Sequence, residues 1–371
     1  MKASLQDSLQ RLLNSADIRL NGSRPWDVQV HNSGLYKRAI AGGSLGVGEA
    51  YMDGWWDCRR LDDMLTRVFM AQIDHKLVGN LRILLKMAST KIINPQTLRR
   101  AFVVGQRHYD LGNDLYEAML DSRLTYSCGY WKTAKDLDQA QTAKLDLICR
   151  KLDLKPGMAL LDIGCGWGSL MAYAAEKYKV KATGVTVSSQ QADYIKKRYK
   201  HLPISVRLAD YRTLSGQFDR IASVGMFEHV GAKNYQTFMK VAERCLKDDG
   251  LFLLHTIGSS TPHFGTDPWI DKYIFPNSLI PAASMITKAY EGKFVMEDWQ
   301  NFGPDYDKTL QAWHKNFNKA WPQLKGMYDE RFRRMWNFYL MASMAQFRTR
   351  KLQLWQIVLS KDQPQRYDAP R

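Results

Sequence analysis

Apolar positions along the chain recur with two different periods, and the change of period divides it. The first 22 residues, MKASLQDSLQRLLNSADIRLNG, place Leu5, Leu9, Leu12 and Leu13 on one stripe, which predicts an amphipathic helix. A glycine-rich segment follows, GGSLGVGEAYMDGWWD (42–57), with paired Trp55 and Trp56; its glycine spacing predicts tight turns and close backbone approach. In LVGNLRILLKMASTKIINPQTLRR (77–100), Leu81, Leu84 and Leu85 stand near Arg82 and Lys86. That pattern reads either as an interfacial amphipathic helix or as a solvated helix between domains. From about residue 140 the period alternates. MALLDI (158–163), ATGVTV (182–187), ISVRLA (204–209), FDRIASV (218–224) and LFLLHTI (251–257) read as strands. SLMAYAAEKY, SQQADYIKKRYK and YQTFMKVAERCL read as helices between them. KFVMEDW (293–299) and LQLWQIVLS (352–360) are candidate further strands. Strand–helix alternation predicts the α/β class, with a parallel, doubly wound sheet.

Length and composition narrow the class without changing it. The 371 residues suffice for two domains and a large core, and 45% hydrophobic with 24% charged residues excludes a disordered, collagenous or coiled-coil chain. No apolar run approaches the roughly 18 residues of a membrane span. The N-terminus lacks the apolar core of a signal peptide. Cys58, Cys128, Cys149, Cys165 and Cys245 are odd in number and none is spaced as CxxC, so a disulfide framework and a zinc ribbon are not expected, and a reducing cytoplasm fits. No metal site is expected.

Charge is unevenly placed. The formal net charge is +16, yet residues 1–74 are neutral, with nine basic and nine acidic side chains. Residues 75–109 carry seven basic side chains (Lys76, Arg82, Lys86, Lys91, Arg99, Arg100 and Arg107) and no acidic one. Such an excess favours a polyanionic partner, either nucleic acid or an anionic membrane surface. The division expected is an accessory domain at 1–75, a basic linker helix region at 76–107 and a larger domain at 108–371.

The sharpest chemical signal is LLDIGCGWG (160–168), in which a strand ends at Asp162 and Ile163 and Gly164, Gly166 and Gly168 follow at every second position. The order is D-x-G-x-G-x-G, not the G-x-G-x-x-G of a dinucleotide site. An acid at this place can meet a cationic amino group, and the next strand, GVTVSS, ends without the acid that holds the ribose of NAD. The motif resembles the first motif of class I S-adenosylmethionine methyltransferases, whose Rossmann-like doubly wound fold is therefore expected, here with a smaller N-terminal accessory domain.

Over nearly its whole length the chain resembles the cyclopropane-fatty-acyl-phospholipid synthases. GSLGVGEAYMDGWWD (43–57), HYDLGNDLY (108–116), YSCGYW (126–131), LLDIGCGWG, GVTVSSQQ (184–191), VGMFEHVG (224–231), LLHTIG (253–258), DPWIDKYIFPN (267–277) and NFGPDYDKTL (301–310) carry the resemblance. It implies methyl transfer from S-adenosylmethionine to the cis double bond of an unsaturated acyl chain in a membrane phospholipid, followed by proton loss that closes a three-membered ring. It implies a bicarbonate ion as the base, held by Cys128, Glu228, His255, Tyr306 and the backbone at Ile257. For S-adenosylmethionine it points to Tyr126, Ser127, Asp162, Gly164, Cys165, Gly166, Gly168, Thr186, Ser188 and Gln191, with Asp210 and Tyr211 at the adenine end. It further implies lipid binding for the domain at 1–75, catalysis for the domain at 108–371, a homodimer and peripheral association with the inner face of the cytoplasmic membrane. One departure stands out: before the FRxRxxQ stretch (Phe347 to Gln353), where family members often carry a cysteine, this chain has Ser343.

The intended chemistry makes sense of the residues. An isolated alkene that attacks a methyl group becomes a carbocation, so the site must be dry, must align its reactants and must tolerate a cation. Aromatic faces such as Trp269, Tyr273 and Phe275 suit a cation. Rival readings remain: a nucleic-acid methyltransferase, a small-amine methyltransferase and a non-catalytic lipid carrier. The first lacks an RNA-binding module or an NPPY-type tetrapeptide, so no nucleic-acid partner is expected. The second leaves residues 1–109 without a purpose. The third is disfavoured by the joint presence of Cys128, Glu228, His255 and Tyr306.

Overall fold

The computed structural model describes residues 4–73, 112–262, 265–361 and 366–371. The basic segment 76–107 and the first part of HYDLGNDLY lie outside the described residues. The chain divides into two compact units, each assembled from separated stretches: 1–93, 264–276 and 310–352 in the first, and 94–263, 277–309 and 353–371 in the second.

The first unit is helical. Helix α1 (Leu5–Asn14) is capped by Ser4, whose hydroxyl accepts from Asp7 N–H, and it buries Leu9 and Leu13, while Leu5 stays half exposed. A two-residue antiparallel ladder joins β1 (Gln29–Val30) to β2 (Trp56–Asp57). Between them the glycine-rich segment is helical up to Met52 and then makes a tight turn at Asp53–Trp55, with Gly54 at a φ of 72°. Helix α2 (Gly34–Met52) forms its first part, with one kink at Gly43, where φ is 54° and ψ −137°. The expected close approach is found at Gly48, where a Cβ would stand 2.4 Å from the indole of Trp269. Trp269 belongs to α9 (Pro268–Tyr273), and its ring also packs edge-on against Phe338 of α12 (Glu330–Arg348). Helix α3 (Leu61–Met70) lies against α12, with Arg348 bonded to Asp62 and Asp63. Ser343 sits half-buried on α12.

The second unit is a seven-stranded sheet flanked by helices. Described segments before the sheet form α4 (Asn113–Met119) and α5 (Leu137–Lys151). Strands β3 (Ala159–Ile163), β4 (Lys181–Thr186), β5 (Ile204–Leu208), β6 (Phe218–Val224) and β7 (Leu246–Gly258) are parallel, in the order β5-β4-β3-β6-β7. Beyond β7 the sheet turns antiparallel. Strand β9 (Gln353–Ser360) pairs with β7 and with β8 (Val295–Asn301). The five strands expected to be parallel are so, and the two candidate further strands add an antiparallel edge, which makes the sheet a mixed one. A parallel neighbour demands a crossover with a covering helix, whereas β8 and β9 are inserted as an edge pair.

Alternation along each strand feeds two cores. Leu160, Ala182, Leu253 and Val358 pack with Leu145, Ile148, Met171 and Ile195 from α5, α6 (Ser169–Tyr178) and α7 (Ser189–Arg198). Leu161, Ile221, Phe252 and Ile357 pack on the other face with Phe238 and Ile286 from α8 (Tyr235–Cys245) and α10 (Ala283–Tyr290). A sheet buried on both faces needs such unbroken apolar strands. The arrangement leaves the C-terminal ends of the parallel strands as the edge where loops can converge, with the strand order reversing between β3 and β6.

Candidate active site

The loop after β3 is shaped by three left-handed glycines: φ is 86° at Gly164, 54° at Gly166 and 84° at Gly168. The two outer ones are packed close, since a Cβ on Gly164 would lie 2.6 Å from Met226 and one on Gly168 2.9 Å from Ile195. At Gly166 nothing lies within 4 Å, so the loop presents bare backbone to open space. Cys165 is buried, its N–H bonded to Val185 O and its sulfur turned toward Gly184. Asp162, at the end of β3, is buried, and its Oδ1 has no partner. Burial pushes its carboxyl up to about 7.

After β4, Thr186 donates to Gln191 Oε1 at 2.7 Å, which leaves Gln191 Nε2 buried without an acceptor. The Ser188 hydroxyl accepts from Gln191 N–H and caps α7. After β5, the carboxylate of Asp210 is occupied by Arg212, with contacts of 2.8–2.9 Å from its backbone and guanidinium. Tyr211 is buried beside Phe238 with its hydroxyl unpartnered.

The segment 125–131 is pinned from two sides. From α5, Gln141 donates to Ser127 O at 2.7 Å and Lys144 donates to the Ser127 hydroxyl at 2.8 Å. From the start of α11 (Pro304–Leu324), Thr309 accepts from Gly129 N–H and Asp305 accepts from Trp131 N–H, at 3.0 and 2.7 Å. Tyr126 packs on Tyr116, which packs on Trp167 of the glycine loop. Cys128 is fully buried; its thiol donates to Gly129 O, and burial raises its pKa well above the ordinary value. Tyr306 is half-buried on the first turn of α11, beside Asp305.

Glu228 follows β6 and is buried. Its Oε1 accepts from Ile257 N–H at 2.6 Å, and its Oε2 has no partner. Burial raises its carboxyl to about 7, against the opposing pull of that backbone bond. His255, near the end of β7, is 1% exposed. Gln356 Nε2 lies 3.3 Å from its Nδ1. An amide N–H can only donate, so Nδ1 accepts and the ring hydrogen sits on Nε2, which is itself buried and unpartnered. Burial drives the ring pKa well below its usual value, so His255 is neutral. Phe302 stands edge-on to both His255 and Tyr130, joining this corner to the 125–131 segment.

All seventeen expected residues therefore fall in the second unit, on loops at or near the C-terminal ends of β3 to β7 or on the two segments 126–128 and 306. Trp269, Tyr273 and Phe275 do not. They pack within the first unit, Tyr273 bonding Glu49 and Phe275 meeting Tyr339. Lys144 and Gln141 were not anticipated, although both lie on the α5 stripe 137, 140, 141, 144, 145, 148 that is otherwise apolar or small. A polar pair on such a stripe was a readable signal. Among the described residues no His, Cys, Asp and Glu cluster could hold a metal ion, and no helix is long and apolar enough to cross a membrane.

An open glycine loop, an unpartnered acid before it, and an unpartnered Gln191 amide after the next strand fit the aminoacyl and ribose groups of S-adenosylmethionine. With the strand order above, they define a class I S-adenosylmethionine-dependent methyltransferase. Residues 96–357 match the family described as mycolic acid cyclopropane synthetase. The chain is 51% identical over 350 residues to the cyclopropane-fatty-acyl-phospholipid synthase of Escherichia coli K12, covering 94% of this chain and 92% of that one. The cyclopropane mycolic acid synthase 1 of Mycobacterium tuberculosis is 38% identical over 238 residues, 59% of this chain and 83% of that one. Among solved structures, the mycolic acid cyclopropane synthase CmaA1 complexed with SAH and CTAB aligns with a TM-score of 0.66 at 34% identity, covering 70% of this chain and 98% of that one. Coclaurine N-methyltransferase aligns with a TM-score of 0.70 at 21% identity over 85% of this chain and 99% of that one, a likeness of fold. The chain belongs to the cyclopropane synthase family and is a methyltransferase that uses S-adenosylmethionine.

Proposed function

We propose that the enzyme turns a cis-unsaturated acyl chain of a membrane phospholipid into its cyclopropane derivative, with a bound bicarbonate ion as the base. S-Adenosylmethionine supplies the electrophilic methyl group, and bicarbonate supplies the acceptor for the surplus proton. The chain's residues bind, orient and keep the site dry. Gln191 Nε2 offers a donor to the ribose, Asp162 an acceptor to the amino group, and Gly166 the room for both. Tyr126 and Ser127 border the same space; Ser188 shapes it by capping α7, and Asp210 and Tyr211 close the adenine end.

The observation that carries the base-holding role is a pair of buried, unpartnered atoms at neighbouring strand ends: Glu228 Oε2, an acceptor, and His255 Nε2–H, a donor. Leaving both unmet in an apolar site is costly, and a small anion bearing one O–H meets both. Ile257 N–H orients the carboxyl of Glu228. Cys128 and Tyr306 complete the set. The chemistry also requires that no side chain intercept the carbocation. A thiol kept protonated and bonded to Gly129 O is a poor nucleophile.

For access to lipid we infer that the basic segment 75–109, seven cations and no acid, docks on an anionic bilayer at the inner face of the cytoplasmic membrane, with the enzyme acting as a homodimer. Each basic side chain near such a surface is worth about 1 kcal/mol. Incubation of unsaturated phospholipid vesicles with the enzyme and S-adenosylmethionine, followed by mass spectrometry, tests the reaction. The expected result is a gain of one CH2 with loss of the double bond. Exhaustive removal of dissolved carbon dioxide should lower turnover, and added bicarbonate should restore it. Unchanged turnover would rule out bicarbonate as the base.

A further inference from the structure

Two lysines of α5 are buried, and the fold treats them differently. Lys151 is paired with Asp298 at 2.8 Å. Lys144, 1% exposed, has one hydrogen-bond acceptor among the described residues, the Ser127 hydroxyl at 2.8 Å, and no carboxylate within ion-pair distance. An ammonium carries three donors, so two remain unmet in a place closed to water. Burial lowers its pKa to about 8, which still leaves it charged at neutrality. The charged and titratable groups that act on it are Asp121, Cys128 and Asp162. Asp121 is occupied by Thr125, through its N–H at 2.7 Å and its hydroxyl at 3.1 Å, and by Arg123 N–H. Cys128 is a protonated thiol. Asp162 keeps Oδ1 without a partner.

An ammonium with spare donors and a carboxyl with a spare acceptor thus flank the segment 126–128 and the start of the glycine loop. That is the complement of a zwitterion, one end carrying a carboxylate and the other an amine. We infer that Lys144 binds a carboxylate-type oxyanion directly, and that this is the aminoacyl carboxylate of S-adenosylmethionine, while Asp162 meets its amine. The inference rests on the cofactor reading above. Bicarbonate shares the same chemistry and is the alternative source. Lys144 would then be a binding residue in its own right, not only a prop for Ser127.

The test is calorimetry on the full chain with two ligands. S-Adenosylhomocysteine has the carboxylate; S-adenosyl-3-thiopropylamine keeps the amine and lacks it. Lys144→Met should weaken the first by about tenfold to hundredfold, the range of a charge-assisted hydrogen bond, and leave the second within about twofold. Ser127→Ala, which keeps the ammonium, should cost the first ligand less than Lys144→Met does. A parallel arm follows the rise in thermal midpoint caused by bicarbonate. If S-adenosylhomocysteine binding is untouched but that rise disappears in Lys144→Met, the oxyanion is bicarbonate. Equal loss of both adenosyl ligands, or no change in either arm, overturns the proposal. Lys144→Gln repeats the measurement if the methionine variant does not fold. A wild-type chain that binds neither adenosyl ligand would remove the cofactor reading itself, a different result.

Discussion

Glu228 and His255 show how burial converts ordinary side chains into matched tools. His255 is neutral at pH 7 and Glu228 is about half protonated, and each has one unmet polar atom at the same edge of the sheet. Glu228→Gln and His255→Ala should therefore retain S-adenosylhomocysteine affinity and lose about 10²–10⁴-fold in turnover, as expected when a proton-transfer group is lost. Near-normal turnover in either variant would remove that residue from the base-holding set. The same burial has a stability signature. Glu228 has a folded pKa of about 7, above its usual value of 4.5. Its contribution is fully present below pH 4.5 and is lost as the pH rises through 7. Urea unfolding at pH 5 and pH 7.5 should show Glu228→Gln losing less stability over this interval than the wild type. A larger loss in the variant would contradict the assignment. At this scale the sequence was readable through motifs; no motif marks Lys144, and the signal that does is its place on the buried stripe of α5.

Among the elements, two glycine-rich segments that look alike in sequence behave differently. In α2 the glycines allow helices to touch. Gly48→Ala sets a methyl 2.4 Å from the ring of Trp269, and should cost about 1–3 kcal/mol, as overpacking does, read as a lower thermal midpoint. An unchanged midpoint would mean that α9 moves aside freely. In the loop after β3 the glycines take left-handed backbone and leave open space at Gly166. Gly166→Val enters open space at a left-handed φ of 54°, so the fold should survive with about 1–2 kcal/mol of strain while S-adenosylhomocysteine binding is abolished. Unaltered affinity there would displace the cofactor from this loop. Glycine spacing alone could not separate the two cases. It predicted turns in 42–57; one formed at Gly54, while the stretch up to Met52 is helical because α9 and α12 supply partners that a local pattern does not contain.

For the whole molecule, the chain divides into a helical unit and a mixed-sheet unit, each built from stretches far apart in sequence. Stretches 265–276 and 310–352 join the helical unit although they follow the sheet's parallel strands, so Trp269, Tyr273 and Phe275 pack among its helices. Docking on lipid is a property of this scale. Sedimentation with anionic vesicles should exceed that with neutral vesicles at low salt, and should fall as salt rises, because the Debye length shrinks to about 10 Å at 0.1 M. Equal sedimentation with both lipids would eliminate electrostatic docking by the 75–109 segment.

Periodicity, the D-x-G-x-G-x-G turn and the ordered motifs were enough to place the parallel strands, the glycine loop and the residues now found at the strand ends, because each is a local consequence of side-chain spacing. Tertiary structure decided the rest. It set the antiparallel edge, where β9 closes on β7, and the helical state of residues 42–52. It also decided which polar atoms are left without partners. Burial depends on what arrives from elsewhere in the chain: Gln356 from β9 sets the tautomer of His255, and Ile257 from β7 orients Glu228. No window of sequence holds both halves of such a contact.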